Sequence, residues 1–379
     1  MLEQKINEYF GDDEPSGFGT GWWSGVLSAF FGVLAFGAVV CLHFPQLLSS
    51  PELRPHYSMP VLRMLIQAVI AAAIVFGVVS AMLRRKKVLA FTGMLFALGA
   101  TLLGGASVEI NEPLHDGIAI GLDWFLLDLL LMTLIFSPIE VLWPAYPQQS
   151  VFRPEWLLDI GYFLSTHLPI RITTFLILLP ATQLVHVLGN EGMQQAMGSL
   201  PWIVQFLLAV LVADVAEYWI HRALHEVPWL WRFHAIHHSP REMDWLAGSR
   251  THLVDAIATR AAGYLPVFVL GFASGPFLVY LSWISFQAVF IHANVRWRFP
   301  GLRWCVATPE FHHWHHAQDL EGQNKNFAVL CPLWDVAFGT VWLPGRWPKA
   351  LGVEGQTLPA TWVGQMAHPF RREATERMR

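Results

Sequence analysis

The chain has only three cysteines in 379 residues, Cys41, Cys305 and Cys331, far apart and without CxxC spacing. That argues against a disulfide framework, a thiolate metal cluster and covalently attached haem. Charge is equally sparse. Asp, Glu, Lys and Arg make up 14% of the residues, where a typical soluble domain has about 25%. The net charge is −4, and no basic stretch interleaved with aromatics marks a nucleic-acid surface. The absence of HExxH disfavours a membrane zinc protease, and no GxGxxG marks a dinucleotide site. No solenoid-like period is present. The opening residues carry Glu3, Asp12, Asp13 and Glu14 instead of the basic start and apolar core of a signal peptide. The first apolar run is therefore expected to be a retained span.

Apolar residues are in excess: 54% of the chain is hydrophobic and the mean hydropathy is +0.42. Many of the eighteen tryptophans flank apolar runs, where indole settles at the headgroup level. A helix needs about 20 apolar residues to cross a bilayer core. Trp22–Leu42, Met59–Leu83, Val88–Ala106, Ile118–Phe136, Trp202–Ile220, Leu253–Phe272 and Pro276–Ile291 meet or approach that length, the last two as a hairpin. Arg63 sits where it can snorkel, and Asp123 and Asp128 interrupt the fourth run. Leu157–Leu179 is ambiguous because Asp159, His167 and Arg171 interrupt it. Gly21-xxx-Gly25 is weak evidence for helix dimerisation. Taking the basic cluster Arg84-Arg-Lys-Lys87 as cytoplasmic puts the N-terminus inside and the acidic Glu109–Asp116 loop outside. If Leu157–Leu179 crosses, the next span delivers His221 to the cytoplasmic face and the hairpin returns His292 there. The tail with Arg371, Arg372, Arg377 and Arg379 also falls inside. If that segment only lies in the interface, the parity breaks and the histidines face outward. The crossing arrangement is preferred.

Histidine is the concentrated residue. Eleven of seventeen lie between His221 and His316, eight of them in three boxes. These are His221-Arg-Ala-Leu-His225, His234-Ala-Ile-His237-His238 and His312-His-Trp-His315-His316. Imidazole is the commonest ligand for iron, copper, nickel and zinc. One ion takes about four to six donors, so eight rings suit two ions. On a helix His221 and His225 share a face. His234 faces His237 or His238, and His312 faces His315 or His316. Adjacent histidines diverge by about 100°, so such a pair reaches two metals or brackets one. His43, His56, His115, His186 and His368 are isolated and read as loop or interface residues, and His167 as a hydrogen-bonded helix residue. Unmetallated packing does not account for the boxes, because clustered imidazoles repel on protonation and cost desolvation. Asp214, Glu217, Tyr218, His221 and His225 form one stripe. Asp214 or Glu217 is expected to accept the free ring N–H of a ligating histidine, with an interfacial salt bridge to Arg222 or Arg250 as the alternative. Glu226 is a candidate ligand or proton-steering carboxylate, or a solvated loop residue. Asp214 and Glu226 are the candidate catalytic carboxylates.

In order and spacing, several elements resemble the fatty acid hydroxylase/sterol desaturase superfamily. They are Asp214-x-x-x-Tyr218-Trp219-x-His221-Arg222-x-x-His225, Leu230-Trp231-x-Phe233-His234-x-x-His237-His238-Ser239, Arg250-x-His252 and His292-x-Asn294-Val295. Pro309-Glu310-x-His312-x-x-His315-His316, Asn326-Phe327 and Trp334-Asp335-x-x-Phe338-Gly339-Thr340 continue the series. The likeness covers about a third of the chain, and Glu140-x-Leu-Trp-Pro144 and Asp159 extend it upstream. Lys325-Asn326-Phe327-Ala328 departs from the usual Asn-Tyr/Phe-Gly. The three N-terminal spans exceed the common core.

The resemblance implies an all-α, multi-pass transmembrane bundle with a cytoplasm-facing dimetal site. Two iron ions, with O2 as co-substrate and externally supplied electrons, would attack an unactivated C–H bond of a fatty acyl chain or sterol, giving hydroxylation or desaturation. The implied ligands are His221, His225, His234, His237, His238, His312, His315 and His316, with His292 as a ninth and His252 as a further candidate; His313 is left out. Electrons would come from a cytochrome b5-like or ferredoxin/reductase partner. The domains expected are residues 1–110 (accessory spans), 117–346 (catalytic) and 347–379 (cytoplasmic tail), in a bacterial inner membrane in preference to the endoplasmic reticulum. Ether-lipid monooxygenation is the alternative reaction, and a histidine-rich metal transporter the non-oxidative one.

Overall fold

The computed structural model describes residues 19–50, 53, 56–108, 120–168, 176–177, 183–185, 187–353, 355 and 358–371. The acidic N-terminal stretch, the Glu109–Asp116 loop, His115, Arg171, His186, Arg372, Arg377 and Arg379 lie outside the described residues. Among the described residues the chain is helical, with a lone antiparallel bridge, Ala317 to Leu351, and no strand. Among the described residues seven helical stretches are long and apolar enough to cross a membrane, the third when counted on to Ser107. They are α1 (Trp22–His43), α2 (Met59–Leu83), α3 (Val88–Leu102), α4 (Leu122–Leu142), α7 (Trp202–Glu226), α9 (Leu253–Leu270) and α10 (Ser274–His292). Shorter helices are α5 (Trp156–His167), α6 (Glu191–Gly198), α8 (Pro228–His237), α11 (Pro309–His315), α12 (Leu333–Phe338) and α13 (Trp362–Ala367). The chain divides into two compact units, Met1–Leu131 and Met132–Arg379.

The first unit is held by small residues. A Cβ on Gly32 would lie 2.9 Å from the Gly93 Cα, so α1 and α3 approach backbone to backbone. Ser28 Oγ donates to Ala73 O at 2.7 Å, tying α1 to α2. Gly21 and Gly25 pack against Leu83, Ser80 and Leu89, so this pair is used inside the unit. Arg63 donates to Ala106 O and Val108 O, which satisfies its charge at a helix end. Asp123 accepts from Ser50 N and Oγ and from Tyr57 Oη. Met64, Leu65, Val75, Leu95 and Leu98 are exposed, as helices solvated by lipid require.

The second unit packs α7, α9 and α10 around Ala209, Ala213, Tyr264, Val267, Phe277 and Tyr280. The 25 residues of α7 make it about 37 Å long, more than the bilayer core of about 30 Å. Its last turns, carrying His221 and His225, therefore emerge at one end of the bundle. Pro228 has no N–H to continue α7 and starts α8 at its first turn, with Val227 extended before it. The fourth span starts after Gly121 (φ 81°), four residues inside its expected start, and continues through Pro138 to Leu142, six residues past its expected end.

The two ends of this unit are fixed by contacts. At the histidine end Glu140 Oε1 accepts from Trp245 N and Asn294 N, and Ser249 Oγ meets His167 Nε2 at 3.3 Å. At the other end Gln194 donates to Val269 O, and Gln205 joins Gly198 O to Ala273 N. His167 and Gln194 therefore lie at opposite ends of this unit. Only Trp156–His167 of the ambiguous Leu157–Leu179 run is described as an unbroken helix.

Candidate metal centre

Nine histidines converge in two adjoining groups. His221, His225, His234, His238 and His315 form one, and His237, His292, His312 and His316 the other, with the nitrogens of each group within 4.8 Å of one another. Each HxxHH box splits. His234 and His238, four apart on α8 and its cap, serve the first group, and His237 serves the second. His312 and His316 serve the second, and His315 the first. The groups touch where His238 stacks on His316, ring centroids 4.2 Å apart. His292 arrives on the last turn of α10. Thr308 caps α11 by accepting from Phe311 N, which sets the third box as a short helix.

The free faces of the rings are fixed by acceptors. His221 Nδ1 lies 2.6 Å from Phe327 O, His237 Nδ1 3.1 Å from Arg250 O, His292 Nδ1 2.6 Å from Ala288 O, and His315 Nδ1 2.8 Å from Lys325 O. His234 Nδ1 lies 2.8 Å from Asp255 Oδ2. A carbonyl or carboxylate oxygen only accepts, so these Nδ1 atoms carry the hydrogen and each Nε2 presents a lone pair. Yet His221 Nε2 and His234 Nε2 face each other at 3.0 Å, and His237 Nε2 and His292 Nε2 at 3.2 Å. Burial holds the His234 pKa down at about 3; burial and neighbouring imidazoles hold His237 at about 4. Burial, followed by the adjacent rings, also pulls His238, His312, His315 and His316 well below the usual value. Neutral lone pairs pointing at each other repel, unless a cation lies between them. One such pair occurs in each group.

The donor set fits that cation. The facing Nε2 atoms are 2.9–3.2 Å apart. Two nitrogens about 2.1 Å from one metal stand about 3.0 Å apart at a right angle and about 3.4 Å at the tetrahedral angle. The spacing suits five- or six-coordination. Imidazoles without a carboxylate favour iron, copper, nickel or zinc over magnesium or calcium.

Other expected residues are placed elsewhere. His252 joins neither group; its Nδ1 accepts from Val254 N and its Nε2 faces Met366 O at 3.1 Å. Asp214 does not touch a histidine: it accepts from Leu330 N and Cys331 N at 2.9 and 2.7 Å. Asp335 accepts from Phe327 N and Ala328 N. The two aspartates thus pin the strand of backbone that offers Phe327 O to His221. Tyr218, through Thr340, braces Asp335. Glu226 is exposed and paired with Arg222 at 2.8 Å. His313, buried beside Tyr146, donates from Nε2 to His292 O. Arg250 is fully buried against Asp159 and Glu155, and Asp159 also pairs with Arg153, which pairs with Asp244. The carboxylate that does orient a ligand is Asp255, on α9.

Residues 206–340 match the fatty acid hydroxylase family model. The ornithine lipid hydroxylase OlsE of Rhizobium tropici is 34% identical over 179 residues, 46% of this chain and 52% of that protein. The alkylglycerol monooxygenase of Homo sapiens is 28% identical over 159 residues, 42% of this chain and 35% of that protein. The fatty acid hydroxylase vlmA of a Lecanicillium species is 31% identical over 160 residues, 37% of this chain and 42% of that protein. The matched stretch thus spans about half or less of each relative. No solved structure matches the chain.

Proposed function

From the match of residues 206–340 to the fatty acid hydroxylase family model, we propose that this chain is a multi-pass membrane oxygenase that hydroxylates or desaturates a C–H bond of a lipid. The observation that carries this reading is the two adjoining imidazole groups whose lone pairs face each other at the ends of membrane helices. His221, His225, His234, His238 and His315 would hold one iron, and His237, His292, His312 and His316 the other. The irons would supply O2 activation, with electrons from a separate cytochrome b5-like or ferredoxin-type donor. The chain's own contribution is geometric and dielectric. Asp255 and the carbonyls of Phe327, Arg250, Ala288 and Lys325 lock ring orientation. The packed apolar interior of α7, α9 and α10 below the histidines keeps water from that side of them.

We take residues 117–346 as the catalytic domain. Glu140 and Asp159, upstream of the matched stretch, brace Asn294 and Arg250. Residues 1–110 are the accessory spans and 347–379 the tail. The site is proposed to face the cytoplasm of a bacterial inner membrane. Two candidate spans, α3 and α4, separate Arg84–Lys87 from the histidine end of α4. The positive-inside rule applied to that basic cluster supports the cytoplasmic orientation.

The human relative supports ether-lipid monooxygenation as a second reading. A transporter fits less well, because transporter sites lie near the midplane and these histidines lie at helix ends. Lipid analysis of cells grown under ¹⁸O2 tests the proposal. Cells with the active protein are expected to gain a lipid carrying one ¹⁸O, or a new double bond, absent with His237→Ala. Identical lipid profiles would overturn it.

A further inference from the structure

One turn below the histidines, the second unit contains a carboxylate that neither imidazole group uses. Glu217 lies on α7 four residues before His221, a rise of about 6 Å, and is 6% exposed. Its Oε1 accepts from the Tyr280 hydroxyl at 3.1 Å. Its Oε2 has no protein partner among the described residues, and it is not one of the sealed, partnerless atoms. Gly263 on α9 makes room for the pair: a Cβ there would overlap Glu217 Oε1 and lie 2.9 Å from the Tyr280 hydroxyl. The Tyr280 ring belongs to an apolar cluster with Ala213, Tyr264 and Phe277. The contrast with Asp214 is chemical. Asp214, one turn deeper, has both oxygens engaged by backbone N–H groups, whereas Glu217 keeps one oxygen free. An acidic group inside a membrane helix is costly, and without a basic partner it marks function by default.

We propose that Glu217, oriented by Tyr280, accepts a hydrogen bond from an N–H or O–H group of the lipid substrate. It thereby selects lipids that carry such a donor about one helical turn from the carbon presented to the histidines. The inference rests on the lipid-oxygenase reading. A buried acceptor left unpaired penalises an analogue that lacks the donor, so the residue sets specificity.

The test uses the full-length iron-loaded protein in nanodiscs, titrated with tetradecylamine, tetradecanol and methyl tetradecyl ether and followed by tryptophan fluorescence. The wild type is expected to bind the amine, the alcohol or both at least tenfold more tightly than the ether. Glu217→Leu and Gly263→Ala are expected to level the three Kd values, and Tyr280→Phe to narrow the gap. Glu217→Gln separates the sources: a loss confined to the amine identifies an ammonium group, and a retained preference identifies a neutral donor. Glu217→Leu leaves the buried Tyr280 hydroxyl without its acceptor, so a modest fall in Tm is expected, and iron content is expected to stay unchanged in all variants. A donor preference that is absent, or that survives Glu217→Leu, overturns this inference while iron binding and lipid oxidation stand. A wild type that binds no iron overturns the oxygenase reading, and this one with it.

Discussion

At the residue scale the centre depends on which ring nitrogen carries its hydrogen. Among the described residues Asp255 is the side-chain carboxylate that sets this for a ligand, through His234 Nδ1. Asp255→Ala is expected to lower metal affinity about 10–100-fold, read as iron content after dialysis against graded chelator; unchanged occupancy would contradict the role. The same burial that keeps the rings neutral makes the metal-free protein acid-sensitive. His234 and His237 titrate at about 3 and 4 when folded and at about 6.5 when unfolded. The unfolded chain therefore binds more protons between those values, and stability falls as the pH drops from about 6.5 toward 4. Melting of chelator-treated protein across that range measures it. A Tm that stays level or rises on acidification would contradict it.

The three boxes were legible as residues, because metal chemistry leaves a side-chain signature at helical spacing. Their partners were not. Phe327, Arg250, Ala288 and Lys325 act through carbonyl oxygens, which every residue has. Asp255 lies 21 residues from His234, and only the packing of α8 near α9 brings them together. The phase of Asp214 on α7 suits a histidine partner or, as the alternative, a salt bridge. In the fold, backbone N–H groups of the 330–331 segment take it instead, because a fully buried carboxylate is satisfied by the donors within reach. His252 matched a sequence element, yet as the N-cap of α9 its ring is turned to the helix backbone.

At the element scale, short segments hold the ligands through buried charges. Arg250 presents its carbonyl to His237 while its guanidinium meets Asp159, and both side chains are fully buried. Asp159→Ala would leave Arg250 and Arg153 short of their counter-charge, a loss of about 3–5 kcal/mol. Thermal unfolding in detergent checks this, and a change within about 0.5 kcal/mol would show that the network is dispensable. The spans were legible from hydropathy, since lipid demands the same apolar length at each crossing. The end of α4 was less so, because Pro138 signals a stop, and the helix nevertheless continues to Leu142.

At the scale of the whole molecule, the proposed orientation makes Arg84–Lys87 and the histidine end of the second unit cytoplasmic, with α6 at the opposite end of that unit. Single cysteines replacing the exposed Arg85, Arg241 and Gln195, in a background without other cysteines, report this with a membrane-impermeant thiol reagent. Positions 85 and 241 are expected to react from the cytoplasmic side and 195 from the opposite side. Positions 85 and 241 reacting from different sides would contradict the topology. Nine imidazoles in two groups are proposed to hold two irons, and elemental analysis of the purified protein decides it. Two irons per chain are expected, with occupancy falling sharply in both His221→Ala and His292→Ala. One metal per chain, zinc in place of iron, or full occupancy in either variant would contradict it.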